Sequence, residues 1–396
     1  MWYTAGCPEG ARGVDVLRLF FRRLSWVLAL LAALVVLSWC TGRLLTDRTV
    51  LTQYLFWPPA LAYGLVSVLL LSFSWLLALM GQPYLPTSFA PDADKPVEFM
   101  RLPRAARGTR RAVGLACTAM IVHAVVVEAR GVRWLHPPTA PNTQLRLVFW
   151  NAATAFMDDY ADKIATVNPS IVCIANPAAY CKWEVIREAV GGDKSDAQRY
   201  GRLACFGPWP ILRWGGTSLE IQGAKTRYFD GKPSIDRGQA MFVEFDATET
   251  FGRPIVVWVI DIPSDIALSR QTMLKQAAAA INGFSGPVMI RGKSGLDQEV
   301  DSPKGFPAPD IIAGDFNTPR GSASLSHVSG TLVHAYDQAG YGPEPTWHRE
   351  YPLVAIDHVF TGGPVRAAGY SSVDVGAGKH RMQIVDLASV AAGSAR

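Results

Sequence analysis

The chain lacks any closely spaced cysteine pair: no Cys-x-x-Cys occurs in its 396 residues. Three of its six cysteines, Cys7, Cys40 and Cys117, precede Trp134, and three, Cys173, Cys181 and Cys205, follow it. An odd number in the polar part, at these spacings, indicates neither a zinc site nor a disulfide framework. A single disulfide stays open, and Cys173, set in an apolar run, reads as a small core residue. There is also no internal repeat and no low-complexity tract. A third shortage is basic charge beyond Trp134. Up to that residue the sequence has 14 Lys and Arg against 7 Asp and Glu; beyond it, 24 against 26. The net charge of +5 therefore belongs to the N-terminal third. A domain that grips a nucleic-acid backbone concentrates basic residues, so nucleic acid is disfavoured as a partner.

What the sequence has in abundance is apolar length near its start. Residues 24–40 carry no charge and are flanked by Arg22, Arg23 and Arg43; two more uncharged runs cover about 54–80 and 112–127. A membrane helix needs about 20 apolar residues, and on this criterion residues 1–130 form an anchor of three transmembrane helices in a lipid bilayer. A cleaved signal peptide competes for the first run alone, but that run is long for one and two others follow. Arg12, Arg18, Arg22 and Arg23 precede the first span, and Lys95, Arg101, Arg104, Arg107, Arg110 and Arg111 lie between the second and third. By the positive-inside rule both segments are cytoplasmic. Three crossings then put the C-terminal domain outside the cell membrane; two would reverse this.

Residues 131–144 are proline-bearing and read as a stiff linker. The polar part, about 145–390, opens with the strand Leu145–Asn151. A helix is expected over 158–165, with Asp158 and Asp159 at its start, where negative charge is favoured. Further strands are expected at 169–176, 202–206, 219–222, 241–245, 254–262, 353–360 and 382–387. Helices are expected over 180–190, 269–284, 322–328 and 332–339, and a surface insertion over 292–309. Such alternation fits one α/β or α+β domain. Trp209 and Trp214 read as core or as a substrate mouth, and His123 as packing or as a functional group inside the third span.

The stretch around which the rest is arranged is Ile311-Ile312-Ala313-Gly314-Asp315-Phe316-Asn317-Thr318-Pro319. An apolar run stops at a glycine and delivers a carboxylate and an amide, two residues apart, to the end of a buried strand. Taken by itself, this is equally a strand followed by an Asx turn.

The ordered series Trp150-Asn151, Pro169 to Asn176, Gly207-Pro208-Trp209-Pro210-Ile211, Ile260-Asp261-Ile262, Gly314-Asp315-Phe316-Asn317, Thr346-Trp347, Ile356-Asp357-His358-Val359-Phe360 and Gly378-Lys379-His380-Arg381 resembles the endonuclease/exonuclease/phosphatase superfamily, the DNase-I-like fold. The likeness runs from about Leu145 to Leu387, and the anchor resembles that of bacterial membrane members. The resemblance implies a four-layer sandwich of two packed mixed β-sheets flanked by helices. It also implies Mg²⁺-assisted hydrolysis of a phosphoester by an in-line water. Position by position, it makes Asp315 the carboxylate that prepares the water, Asn317 its amide partner and Asn151 the amide near the metal, on the phosphate-binding side. His380 becomes the phosphate contact and Asp357 the group that orients it.

Three positions depart from the pattern. Ile174-Ala175-Asn176 stands where the family has Leu-Gln-Glu, Asp261 where it has a histidine, and Lys379 where its Ser-Asp-His triplet has an aspartate. Mg²⁺ is usually held through one or two carboxylates, and a lysine would repel it. Three expectations follow: Lys379 substitutes for the metal, binding phosphate with Asp261 as its partner; a metal site persists on Asn176 and Asp261; or the pocket only binds. The substrate class suited to the tether is a small or lipid-linked phosphoester. The competing class is a non-catalytic module for a phosphorylated ligand or a protein partner.

Overall fold

The computed structural model describes residues 9–82, 104–135, 145–153, 160–177, 182–192, 195–224, 226–229, 232–291 and 297–390. Asp158, Asp159, Cys7 and Cys181 lie outside the described residues, as does most of the linker. The chain divides into two compact units, Met1–Leu44 with Pro58–Glu128, and Leu45–Trp57 with Ala129–Arg396.

The first unit holds most of three helices long and apolar enough to cross a membrane, Val16–Leu45, Ala60–Met80 and Gly108–Glu128. Small residues sit between them: Ala29, Ala32, Ala60, Ser67, Ser74 and Ala78 are buried, whereas Leu30, Leu34, Leu65 and Leu69 point outward. Small side chains let helix backbones approach, as membrane helices require where no hydrophobic force drives association. Ser74 Oγ donates to the Ser25 carbonyl at 2.7 Å. His123 packs edge-on against Trp39, which is the packing role. The second apolar run starts its long helix at Ala60 rather than Tyr54, because Pro58 and Pro59 interrupt it. A Thr49–Thr52 capping box instead starts a separate short helix, Val50–Phe56.

The second unit has, among the described residues, a six-stranded and an eight-stranded sheet with helices outside, and a separate two-stranded ribbon. Alternation along the strands creates the layers. Leu147 and Phe149, with Val257, Val259, Ile311 and Ala313 from the other sheet, form the core between the sheets. Val148 and Trp150 face the opposite way, onto Ile164 and Ile186 of the helices Tyr160–Ala165 and Trp183–Val190. Val256, Trp258 and Ile260 pack on Met273, Leu274 and Ala277 of the helix Arg270–Gly283, which Ser269 caps. Truncating one such core side chain to alanine costs about 2–5 kcal/mol.

Local departures have physical causes. The strand expected at 219–222 is instead Ile211–Ser218, since Glu220 takes φ 50° and leaves the ladder. The insertion contains a strand, Asp297–Val300, paired with Val288–Arg291. Residues 332–339 split into the strand Val333–His334 and the helix Ala335–Ala339. The linker begins as a helix, Val132–Leu135, and Arg133 donates to the carbonyls of Tyr336, Asp337 and Gly340 at 2.7–3.3 Å. Trp209 packs on Phe245 and Phe251, as core. Cys173 and Cys205 face each other across neighbouring strands as free buried thiols, Sγ to Sγ 3.8 Å.

Candidate active site

In the eight-stranded sheet, Ile255–Asp261 runs parallel to Ile311–Asp315, which pairs antiparallel with Asp357–Thr361. The registers put Asp261 beside Asp315 and Asp315 beside Asp357. Three carboxylates from distant segments thus share one row at one end of the sheet. The other sheet adds Asn151, opposite Ala175 on the parallel strand that ends just before Asn176. All five side chains except Asn176 are buried.

Hydrogen bonds join the two sheets through this row. Asn151 Nδ2 donates to Asp315 Oδ2 at 2.7 Å, and the Asn317 amide N–H donates to Asp315 Oδ1 at 2.8 Å. Asn317 holds φ 46°, a left-handed conformation that asparagine tolerates, and its Nδ2 donates to the Ile262 carbonyl at 2.7 Å. The Asx turn expected of this stretch is thus present, with Asp315 Oδ1 as its acceptor.

His380 Nδ1 lies 2.9 Å from Asp357 Oδ2, and its Nε2 lies 3.9 Å from Asp315 Oδ2. Trp150 Nε1 donates to the His380 carbonyl at 3.1 Å, and Gln383 Nε2 to the Asp357 carbonyl at 2.7 Å. The Ile356 and Asp357 amides both donate to Thr346 Oγ1. Burial works against charge on His380, but Asp357, then Asp315 and Asp261, raise it to about 9. The carboxylates around it therefore favour the imidazolium form at neutral pH. Burial also raises Asp315 well above the ordinary carboxylate range, and Asp357 adds to this while His380 opposes it. A raised carboxylate is a stronger proton acceptor once ionised.

The altered half of the pocket brings Asn176 and Asp261 together, but with Arg202 and not Lys379 as the neighbouring cation. Asn176 Nδ2 donates to Asp261 Oδ2 at 3.1 Å and to Asn151 Oδ1 at 3.2 Å. The amide orientation is set by the network. Asn151 spends its Nδ2 on Asp315, so its Oδ1, which also takes the Ala153 N–H, can only accept. Arg202 supplies the cation: its guanidinium stands 3.6 Å from Asp261 and 2.6 Å from Asp236. Burial raises Asp261 to about 6, with Arg202 pulling the other way.

Lys379, expected beside Asp261, is exposed. Its neighbour His380 forms a bridge with Trp347 and turns inward; adjacent residues in extended chain face opposite ways, so Lys379 turns out. Arg202 carried no signal in the sequence. Its role depends on the antiparallel pairing of Ile171–Ala175 with Leu203–Gly207, which spacing does not reveal. His358, next to Asp357, faces the outer layer, where Nε2 contacts the Thr318 carbonyl at 2.7 Å and Nδ1 contacts His334 Nε2 at 2.9 Å.

Fit to Mg²⁺ differs between the halves. Asp315, Asp357 and His380 bring ligand atoms within 4.8 Å of one another and could hold a metal ion. At Asn176 the pocket presents an N–H donor and a guanidinium where the family pattern has a carboxylate. That donor set repels a dication, so the magnesium position implied by the resemblance does not fit these residues.

The sequence profile described as Endonuclease/Exonuclease/phosphatase family matches residues 122–389. Among curated proteins no relative matches. Similar solved structures include a mannosyl-6-phosphatase of Bacteroides thetaiotaomicron, 15% identical over 62% of this chain and 100% of that one, TM-score 0.38. A Beutenbergia cavernae endonuclease/exonuclease/phosphatase is 15% identical over 62% and 71%, TM-score 0.41. D. rerio TDP2, complexed with a single-strand DNA product, is 14% identical over 62% and 99%, TM-score 0.40. With a profile match over most of its length, the chain belongs to the endonuclease/exonuclease/phosphatase family.

Proposed function

We propose that the protein is a membrane-anchored phosphoester hydrolase acting on a small or lipid-linked phosphoester, with its globular unit on the extracytoplasmic side of the cell membrane. The observation that carries this reading is the buried Asn151–Asp315–His380–Asp357 array, in which an acceptor carboxylate and an imidazolium share one row. Asp315 takes a proton from the attacking water as the water oxygen bonds to phosphorus and the P–O bond to the leaving group breaks, and the departing alkoxide takes its proton from solvent. His380, held by Asp357, donates a hydrogen bond to a phosphoryl oxygen from Nε2, and Asn151 and Asn317 keep the Asp315 carboxylate in place. Electrostatic stabilisation of the phosphoryl charge then comes from the His380 imidazolium. No step is routed through a metal, since the Asn176 position does not fit one.

A second reading, a non-catalytic module that binds a phosphorylated ligand, is favoured by one observation, the Arg202–Asp261–Asn176 group that fills the altered half. Phosphate release by the full chain in detergent separates the two. Bis-p-nitrophenyl phosphate and a lipid pyrophosphate are each tested with Mg²⁺, with Mn²⁺ and with chelator. Turnover that survives chelator and vanishes in Asp315→Ala supports the proposal. Turnover that requires Mg²⁺ contradicts the reading of the Asn176 half, and none above the Asp315→Ala background favours the binding module.

A further inference from the structure

Residues 45–57 join the first two apolar helices, yet they belong to the globular unit. Their contacts fall on two segments only a few residues downstream of the catalytic row. After the Asp315 strand, Asp47, fully buried, accepts from the Ser324 amide at 3.2 Å and from the Ser324 hydroxyl. Phe56 closes on Gly321. After the Asp261 strand, Gln53, also fully buried, donates through Nε2 to the carbonyls of Ile266 and Leu268 and accepts the Arg270 amide at 2.9 Å. Tyr54 Oη donates to the Ile266 carbonyl at 2.8 Å.

Arg270 is the unusual member of this group. It is 1% exposed. Its guanidinium lies 5.2 Å from the centre of the Trp57 ring and donates to the Pro263 carbonyl at 3.1 Å, while its Nε has no hydrogen-bond partner among the described residues. Pro263 directly follows Ile262, whose amide donates to the Asp315 carbonyl and whose carbonyl receives Asn317. Burial lowers Arg270 to about 10, and Asp315 is the charge that most opposes this. A desolvated arginine over an indole is held by about 2 kcal/mol or more.

We propose that the loop between the first two spans is a built part of the candidate site: through Gln53 and Trp57 it seats Arg270 as a positioning residue for the Asp315–Asn317 platform. One topological consequence is independent of charge. The loop lies one crossing from the N-terminus and the globular unit three, so they share a side of the membrane, as their packing demands, only if the third run crosses as well. The kinetic arm of the test rests on the hydrolase reading; the exchange and cross-linking arms do not.

Hydrogen exchange is followed by mass spectrometry on the full chain in detergent, for the wild type, Trp57→Ala, Gln53→Ala/Trp57→Ala, Trp57→Phe and Leu51→Ala, the last altering an exposed residue of the same helix. In Gln53→Ala/Trp57→Ala the peptide 263–274 exchanges roughly tenfold faster, Trp57→Phe and Leu51→Ala stay at the wild-type rate, and the strand Ile311–Asp315 keeps its protection. A rate unchanged in the double variant overturns the clasp. Against global unfolding of that variant, a bis-maleimide joining Tyr54→Cys to Ile266→Cys in native membranes provides a second reading; its failure to link them also overturns the clasp. In phosphate release, kcat falls about tenfold in Trp57→Ala with KM held within twofold, and Trp57→Phe recovers it. Faster exchange with an unchanged kcat leaves Arg270 merely structural and overturns its positioning role. A wild-type chain without turnover sinks the hydrolase reading and, with it, the positioning role, while exchange decides the clasp.

Discussion

The two halves of the pocket are held together by opposite chemistries. Around Asp315 and Asp357 a protonated histidine answers two carboxylates, at 2.9 Å for the nearer. Around Asp261 the answer is a guanidinium shared with Asp236 and an amide turned donor-first. Both arrangements neutralise buried carboxylates, which is costly to leave undone. Only the first leaves a proton-accepting oxygen and a proton-donating nitrogen facing the same space. The second consumes its cation in an internal ion pair, so the charge a metal would supply is already spent on the protein itself.

The comparison breaks first at Asp315. Asp315→Ala removes the proton acceptor and the acceptor for Asn151 together. If the intact half carries the chemistry, turnover of bis-p-nitrophenyl phosphate falls by about 10³-fold. An equal loss in Arg202→Ala would mean that the two halves act as one.

The legible part of this site was the part written in short local patterns. Gly314-Asp315-Phe316-Asn317 and Ile356-Asp357 mark strand ends, and the registers carried them into one row. His380 was legible through the spacing of the ordered series. The four-layer fold followed from the same series, with each strand's alternation feeding one layer. Asn176 and Asp261 do come together, but Arg202 reaches them through the pairing of Ile171–Ala175 with Leu203–Gly207, strands far apart in the sequence, which no local pattern encodes. Lys379 failed for a local reason, since a one-residue offset in extended chain reverses the direction of a side chain. Trp57 and Arg270 stand 213 residues apart in the sequence. The apolar run read as starting at Tyr54 concealed Trp57 as a membrane-bound residue, whereas Pro58 and Pro59 were the signal that the loop ends there.

The second sharpening is a pH dependence. His380 is raised to about 9 in the folded chain, with Asp357 the principal attraction against burial. The folded state binds the proton more tightly than the unfolded one. The stabilisation is therefore fully present below the unfolded value near 6.5 and is lost as pH climbs through 9. It amounts to about 3 kcal/mol. Thermal melts from pH 6 to 10 in chelator check this against His380→Asn, whose curve stays flatter across that window. Equal slopes would mean that the imidazolium does not hold the intact half together.

A third test rebuilds the altered half. Asn176→Glu restores the family's carboxylate beside Asp261 and removes the N–H that both Asp261 and Asn151 accept. Without metal the variant loses about 2 kcal/mol, from like charge and from acceptors left unpaired. Added Mg²⁺ then raises its melting temperature and leaves that of the wild type where it was. A wild-type melting temperature that rises equally would show that the guanidinium has not displaced the ion.

The smallest effect belongs to Lys379, and its smallness is informative. The family pattern puts a charged group there, and a lysine that took over a metal's task would cost orders of magnitude on removal. The side chain is exposed, while the backbone carbonyl accepts from Arg349 at 2.7 Å and does not need the ammonium. Lys379→Ala is thus expected to change stability by about 0.5 kcal/mol or less, as surface substitutions do, and to leave turnover within about twofold. A loss approaching that of Asp315→Ala would return the lysine to the pocket in the substrate complex. It would also make the outward orientation a property of the free protein alone.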